Sequence, residues 1–334
     1  MLNSSPKSNP DERDKEICIV THCDINYAAK ALSLIKSLIN FGYRDTIVLI
    51  GHDEETVLKF KRLKIVQLHI YHISELEDSF PEILAAKNNR SALEYFYCVT
   101  PFLIKFVKKF FSSEINVYLD SDTFFFSDFH QIALSTNDYS VAITPHHFSS
   151  GNKNLEKYGK FNVGLIAFSS NQGANKLLEW WSTKCLQSTA VNLSYGVYGD
   201  QKYLDEFEIL DNHIKVINYP GCNAAPWNCS SAIMNDDQIF VLESGRKSKL
   251  VFFHFSGLKR LHFISLLGFM PYRVKPSRNL KKFVFVPYLD SLRKSEIQLE
   301  INKGFYASTI GLRNWINSFR YFDFTVKFPF KTHL

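Results

Sequence analysis

The sequence predicts an α/β fold in which a mostly parallel, Rossmann-like sheet carries helices on both faces. Short β-branched and aromatic runs alternate with longer segments whose apolar residues recur at helical spacing. Such alternation is typical of βαβ units, which align successive strands and pack the connecting helices on the sheet. At 334 residues the chain can bury one large core of this kind.

The alternation begins with a predicted strand at residues 17–21 and a helix at 27–40, followed by Gly42 as a stop signal. Further strands are predicted at 46–50, 65–70, 115–119, 139–144, 164–168 and 250–254, and further helices at 54–62, 92–111, 172–186 and 200–207. Pro101 predicts a break or kink in the long third helix, residues 92–111. Ligands of such sheets bind at the carboxyl ends of the strands, where most of the motifs below fall.

The two ends of the chain differ from its body in composition. Residues 1–15 are polar and charged, and we expect a disordered tail there. Residues 258–334 hold 14 Lys or Arg against 4 Asp or Glu, a balance of +10, whereas the rest holds 25 against 29, a balance of −4. Such a basic, aromatic region indicates contact with phosphate groups, either on the lipids of an anionic membrane surface or on nucleic acid. A solvated basic subdomain packed on the core is the alternative.

Neither a secretory signal nor a membrane-spanning segment is evident, so we expect a cytoplasmic protein, at most peripheral on the inner face of the membrane. The six cysteines show no Cys-x-x-Cys spacing, which predicts buried free thiols rather than zinc ligands or disulfides. No Gly-rich nucleotide loop is present, and this excludes dinucleotide oxidoreductases and P-loop NTPases.

The strongest motif is Asp120-Ser-Asp122, which directly follows a predicted apolar strand. Two carboxylates at period-2 spacing can point to one side and hold Mg²⁺ or Mn²⁺, which would bridge a diphosphate. A solvated turn is the alternative. Aspartyl-phosphate phosphatases also use such a pair, but they need Thr or Val where Phe124 stands.

Four further motifs lie at the ends of predicted elements. His254 closes a strand and is a third metal-ligand candidate, although a lone His is more often a core residue. Gly257 would let the backbone approach a phosphate, with Lys259 beside it. The other candidates are Asp24, Asn26 and Tyr27 before the first long helix, Asn162 in a predicted turn of Phe161-Asn-Val-Gly164, and Asp200 with Gln201 at a helix start. Helix capping is the alternative for Asp24 and Asp200.

In this order the motifs resemble the GT-A glycosyltransferases of family 8, the group that includes glycogenin and the bacterial lipopolysaccharide galactosyltransferases. The resemblance implies a catalytic domain over residues 16–260 and a basic, aromatic C-terminal region over 261–334. It also implies a nucleotide-sugar donor, expected to be a UDP-sugar, and a glycan or lipid-linked acceptor. A non-catalytic nucleotide-sugar-binding protein of the same fold is the alternative function. No nucleic-acid partner is expected, since the basic region matches no known binding module.

The resemblance assigns roles to individual residues. Asp120, Asp122 and His254 would ligate Mn²⁺ or Mg²⁺. Nucleotide contacts would come from Asp24, Asn26, Tyr27, Asp120, Ser121, Gly257 and Lys259. Arg90, Asn162, Asp200 and Gln201 would hold the donor sugar and its diphosphate, with Asp200 and Gln201 nearest the chemistry of a retaining enzyme. The chain departs from the family at Asp205, at residues 98–101 and after Lys259, where the family's Pro is missing. Trp227 would stack on a sugar ring.

Overall fold

The structure is a computed structural model that describes residues 16–193, 196–243, 246–261 and 264–301. Its strands are, in chain order, β1 (Ile17–Cys23), β2 (Ile47–Gly51), β3 (Leu68–His72), β4 (Ile115–Leu119), β5 (Thr123–Phe125), β6 (Val141–Pro145), β7 (Phe161–Ser169), β8 (Ile214–Val216), β9 (Ser231–Asn235), β10 (Gln238–Glu243), β11 (Arg246–Lys249), β12 (Phe252–His254), β13 (Leu258–Leu261) and β14 (Ile264–Leu267). The predicted tail at residues 1–15 lies outside the described residues.

The helices follow the predicted order. They are α1 (Ala28–Asn40), α2 (Glu54–Arg62), α3 (Ile73–Ser79), α4 (Ile83–Asn89), α5 (Ala92–Phe110), α6 (His130–Leu134), α7 (Gln172–Gln187), α8 (Phe207–Leu210), α9 (Arg278–Leu280) and α10 (Val286–Gln298). Short 3-10 helices span Ser150–Tyr158, Gln201–Glu206 and Met270–Tyr272, and a π-helical turn spans Lys281–Phe285. None of the helices in the described part of the chain has the length and apolarity of a transmembrane span.

Seven strands form the central sheet in the order β3-β2-β1-β4-β7-β6-β8. The pairs β3-β2, β2-β1, β1-β4 and β6-β8 are parallel, while β7 runs antiparallel to both of its neighbours. The prediction of a mostly parallel α/β sheet is confirmed. Because β7 is reversed, its first residues lie beside the carboxyl end of β4.

Helices cover both faces of this sheet, as predicted. Alternate residues of β1 point to opposite faces: Val20 packs in a core with Phe102 of α5, and Ile19 in a second core with Leu32 of α1. The sheet is therefore buried on both sides, which explains why its strands read as continuous apolar runs.

The prediction of a break at Pro101 is wrong, because α5 runs unbroken through this residue. Ser91 and Glu94 form a capping box that stabilises the start of the helix. Fully buried Val99 and Phe102 pack on the sheet on either side of the proline. This packing outweighs the cost of an internal proline, about 3 kcal/mol.

The C-terminal described residues pack on the sheet domain. Ser295 on α10 is hydrogen-bonded to Ser33 on α1 at 3.0 Å, and the Tyr288 ring stacks on Phe255 with centroids 3.7 Å apart. β13 spans the predicted boundary at residue 260, and the buried residues of α10 share a core with Phe253 of β12. The division into two regions stays a prediction, and residues 302–334 lie outside the described residues.

Candidate functional site

The strand pairing brings together three residues that are far apart in sequence. Asp120 follows the last residue of β4, and the chain turns through Asp122 into β5. Antiparallel pairing of β5 with β12 places His254 opposite Thr123. The backbone N–H of Phe255 donates to the carbonyl of Asp122 at 2.8 Å. His254 is thereby held beside the two carboxylates.

The geometry of these three side chains fits a divalent cation. Nε2 of His254 lies 3.0 Å from Oδ1 of Asp122 and 3.5 Å from Oδ2 of Asp120. One ligand atom from each residue falls within 4.8 Å of the others. Two carboxylate oxygens and one imidazole nitrogen are a donor set suited to Mn²⁺ or Mg²⁺.

The charges of the cluster shift the pKa values of its members. Burial raises the pKa of Asp120, and the neighbouring Asp122 carboxylate adds to this, against the opposing effect of His254. Burial also disfavours ionised Asp122, but His254 and Lys30 outweigh it and hold the pKa of Asp122 well below its usual range. Burial lowers the pKa of His254, and the Asp122 carboxylate more than compensates, so that the net shift is upward. The cluster therefore carries negative charge on Asp122 that a cation would stabilise.

Asn162 lies behind the imidazole. Oδ1 of Asn162 is 3.1 Å from Nδ1 of His254 and also accepts from the backbone N–H of Gly164 at 3.0 Å. Since that oxygen accepts, Nδ1 is the protonated nitrogen and Nε2 is directed toward Asp120 and Asp122. The prediction that residues 161–164 form a turn is wrong. They begin β7, whose pairing with β6 is shifted between Ile143 and Thr144, and this bulge turns Asn162 toward the site.

Gly164 makes this contact possible. A Cβ at this position would lie 2.5 Å from Oδ1 of Asn162 and 2.6 Å from Nδ1 of His254. Any larger residue would therefore push the two side chains apart. The glycine in this motif is required by the close approach of Asn162 and His254.

Lys30 lies on the other side of Asp122. Its Nζ is 3.6 Å from Oδ2 of Asp122 and 4.0 Å from the centroid of the Tyr27 ring. Lys30 is not among the predicted site residues. Its position three residues after Tyr27 on a predicted helix places both side chains on one face, and this was a usable signal.

The segment before α1 forms a compact turn. The Asp24 carboxylate accepts from the backbone N–H of Tyr27 at 3.1 Å and from the Asn26 amide at 2.9 Å. Asp24 and Tyr27 line the cleft, but exposed Asn26 does not. Asn26 therefore supports Asp24, and its predicted contact with the nucleotide stays a prediction.

Asp200 and Gln201 line the same cleft as the metal cluster. Burial, together with the negative charge of Asp120, raises the pKa of Asp200 to about 7, although Thr100 and nearby backbone N–H groups oppose the shift. The Gln201 amide donates to the Tyr158 carbonyl at 3.2 Å, and its oxygen accepts from Asn162 at 3.5 Å. Asn162 thus contacts both His254 and Gln201.

The metal cluster, Asp200 and Gln201 open into one cleft of about 450 Å³. Of the predicted site residues, those that line it are Asp24, Tyr27, Asp120, Ser121, Asp122, Asn162, Asp200, Gln201, His254 and Gly257. Gly257 has a φ of +72°, which favours glycine at this wall. Lys259 lies just beyond it in β13 and is not a lining residue.

Arg90 is not a cleft residue, so its assignment to the diphosphate is corrected. Its guanidinium donates to the carbonyls of Cys185 (2.6 Å) and Leu186, and to Oγ1 of Thr189 at 2.8 Å. These are carbonyls in the last turn of α7 and a residue that follows it, where a cation also complements the helix dipole.

Trp227 is likewise buried and donates to the His146 carbonyl at 2.8 Å, so it is not free to stack on a sugar.

An aromatic wall that the sequence analysis missed closes the other end of the cleft. The Phe96 ring stacks on His52 with centroids 3.9 Å apart, and Nδ1 of His22 is 2.9 Å from Nε2 of His52. Burial lowers the pKa of His22 to about 3, so this imidazole is neutral. All six cysteines are buried thiols that form no disulfide, as predicted.

No family model matches the chain. It is 30% identical to the uncharacterized protein YfnF of Bacillus subtilis (strain 168) over 240 residues, covering 69% of this chain and 78% of YfnF. The chain belongs to the YfnF family. The chain is also similar to the uncharacterized protein YfnD of Bacillus subtilis (strain 168), at 28% identity, with 72% of this chain and 76% of YfnD covered.

Solved structures show which fold the chain has. The galactosyltransferase LgtC, in complex with donor and acceptor sugar analogs, matches with a TM-score of 0.50 at 14% identity over 83% of this chain and 95% of LgtC. The bifunctional glycosyltransferase WbbM matches with a TM-score of 0.51 at 14% identity over 86% of this chain, which spans about half (51%) of WbbM. These proteins are GT-A glycosyltransferases, and the chain has their fold.

Proposed function

We propose that this protein is a metal-dependent glycosyltransferase that takes a sugar from a nucleotide-diphosphate donor, with a UDP-sugar as the donor class. The observation that carries the proposal is the cluster of Asp120, Asp122 and His254 at the cleft of a GT-A fold. The three ligand groups converge beside a cleft of about 450 Å³, and this cleft has room for a nucleotide and a sugar.

The metal ligands and their supports have separate tasks. Asp120, Asp122 and His254 would hold Mn²⁺ or Mg²⁺, and the bound ion would neutralise charge on the departing diphosphate. Asn162 keeps the imidazole oriented with Nε2 toward the carboxylates, so that little reorganisation is needed when the ion binds.

We assign the nucleotide to the end of the cleft formed by Asp24, Tyr27 and Phe96. Asp24 offers carboxylate oxygens for an N–H of the base, and the aromatic side chains offer flat surfaces against which a base can pack. Ser121 and Gly257 border the path from this end to the metal ligands, where the diphosphate would lie.

We assign the donor sugar to the side of Asp200 and Gln201. The Gln201 amide is held by Tyr158 and Asn162, and it would lie near the anomeric carbon as the bond to the diphosphate breaks. Developing positive charge on the sugar would be stabilised by the side-chain oxygens of Gln201 and Asp200. The resemblance to the glycosyltransferases of family 8 supports a reaction that would retain the anomeric configuration.

A donor-hydrolysis assay tests the proposal. The wild-type protein should release UDP from at least one nucleotide-sugar in a panel, and release should need Mn²⁺ or Mg²⁺. Asp122→Ala should abolish that release. Asp205→Ala is the matched control, since Asp205 binds the Lys160 N–H and the Lys202 ammonium outside the cleft, and it should keep most activity.

The outcomes separate this proposal from its alternative. Wild-type turnover in Asp122→Ala would refute the metal site. Tight, metal-dependent binding of UDP without hydrolysis or transfer for any donor in the panel would favour the non-catalytic nucleotide-sugar-binding function.

We also propose a lipid-linked glycan acceptor, as in lipopolysaccharide or surface-glycan synthesis, reached by peripheral attachment to an anionic membrane. Residues 302–334 hold five Lys or Arg against one Asp, with nine aromatic residues. Basic and aromatic residues together favour the interface of an anionic membrane. Removal of residues 302–334 spares α10, and it should abolish co-sedimentation with anionic vesicles. Unchanged co-sedimentation would refute the attachment.

A further inference from the structure

Lys30 places a cation at the metal cluster, and the proposed function does not explain its presence. Its side chain is only 13% exposed, and its ammonium contacts Oδ2 of Asp122 and the Tyr27 ring. Ordering and desolvating a long charged side chain costs free energy, which these contacts must offset. The position of Lys30 is thus set by Asp122 and Tyr27.

Helix stability does not account for this lysine. Lys30 lies in the first turn of α1, where the positive end of the helix dipole disfavours a cation. That turn holds no acidic residue, and Tyr27 at its start makes no capping hydrogen bond through its side chain. A lysine here makes the helix start less stable, so its value lies in what the ammonium contacts.

The two carboxylate oxygens of Asp122 face two different side chains. Oδ1 faces His254 at 3.0 Å, and Oδ2 faces Lys30 at 3.6 Å. A divalent ion held by Asp120, Asp122 and His254 would bring two further positive charges close to the Lys30 ammonium and repel it. The ammonium then needs another anion within reach, and the diphosphate of a bound nucleotide supplies one.

A second ammonium group, that of Lys259, interacts electrostatically with Lys30. The pKa of Lys259 is lowered by burial and then by the positive charge of Lys30. Two ammonium groups that repel each other favour a ligand that carries more than one negative charge.

We propose that Lys30 is a diphosphate-binding residue that occupies Asp122 until the nucleotide arrives, so that it couples the binding of metal to the binding of nucleotide. The inference rests on the proposed function. Lys30 opposes the metal when no diphosphate is present and favours the metal–nucleotide pair when it is. By linkage, each ligand then strengthens the binding of the other.

Calorimetry and Mn²⁺ electron paramagnetic resonance test this without turnover. Mn²⁺ alone, UDP alone and UDP with Mn²⁺ are titrated into the wild type, Lys30→Met, Lys30→Arg and Lys36→Met. Lys36→Met is the matched control, since it removes one charge from the same helix about 9 Å further along. Thermal melts establish that each variant is folded.

Lys30→Met should bind Mn²⁺ alone about tenfold more tightly, and the gain in UDP affinity on adding Mn²⁺ should fall by about tenfold. Lys30→Arg, which keeps the charge, should retain most of the coupling, and Lys36→Met should behave like the wild type. Unchanged or weaker Mn²⁺ binding in Lys30→Met would overturn the role of Lys30 alone. A wild type that binds neither Mn²⁺ nor UDP would overturn the proposed function and this inference with it.

Discussion

Asn162 holds His254 from behind, with its side-chain oxygen 3.1 Å from Nδ1 on the side of the ring opposite Asp122. The same asparagine reaches Gln201 through its amide nitrogen, 3.5 Å from the glutamine oxygen. One side chain therefore positions a metal ligand and a group assigned to the donor sugar. Four predictions follow from this arrangement and from its surroundings.

Gly164→Ala should weaken Mn²⁺ binding by about tenfold or more, because the new Cβ would collide with both Asn162 and His254. Gly151→Ala is the matched control, since a Cβ there has no heavy atom within 4 Å. Isothermal titration of Mn²⁺ into both variants checks this. Equal affinities in the two variants would show that the Asn162–His254 contact is dispensable.

Asn162→Ala should also weaken binding of Mn²⁺ alone, by roughly 10- to 100-fold, although Asn162 is not itself a metal ligand. Without the acceptor on Nδ1, the imidazole loses the contact that sets its orientation and tautomer. The measurement is a Mn²⁺ titration in the absence of nucleotide. If Asn162 acts only on the donor sugar, this affinity will match that of the wild type.

Asp200→Asn should stabilise the metal-free protein, and more so at higher pH. Burial raises the pKa of Asp200 from 3.8 to about 7, so the folded state binds more protons than the unfolded state between these values. Wild-type stability therefore falls as pH rises toward 7, and the neutral amide escapes this loss. The stabilisation by Asn should grow by about 2–3 kcal/mol between pH 5 and pH 8.

Urea denaturation at both pH values measures the free energy of unfolding of each protein. A difference between Asp200→Asn and the wild type that is the same at pH 5 and pH 8 would contradict the raised pKa. Donor hydrolysis should fall in the variant, because Asn cannot supply the carboxylate charge assigned to that side of the cleft.

Leu289→Ala should lower the free energy of unfolding by about 3 kcal/mol, because Leu289 is fully buried where α10 packs on the sheet domain. Val286→Ala on the same helix is the control, since Val286 is 40% exposed and should lose far less. One cooperative transition is expected in urea for each variant. Separate transitions would mean that residues 264–301 form a unit of their own.

Much of the fold follows from local pattern. Three elements lie within two residues of their predicted bounds: the first strand, the helix that ends at Asn40 and the strand that ends at Leu119. In each, the spacing of the apolar residues fits only one kind of secondary structure. The Asp120–Asp122 pair could be predicted from its spacing of two residues directly after such a strand. Neither the strands, the helix nor this pair required knowledge of long-range contacts.

Tertiary structure decided the rest. The reversed direction of β7 and its bulge place Asn162 at the metal cluster, whereas local pattern indicated a turn. Arg90 and Lys30 are both cations near helix starts, yet one caps α7 and the other reaches Asp122. Their roles depend on which elements pack against them, and that information lies in contacts between residues 90 or more positions apart rather than in any single segment.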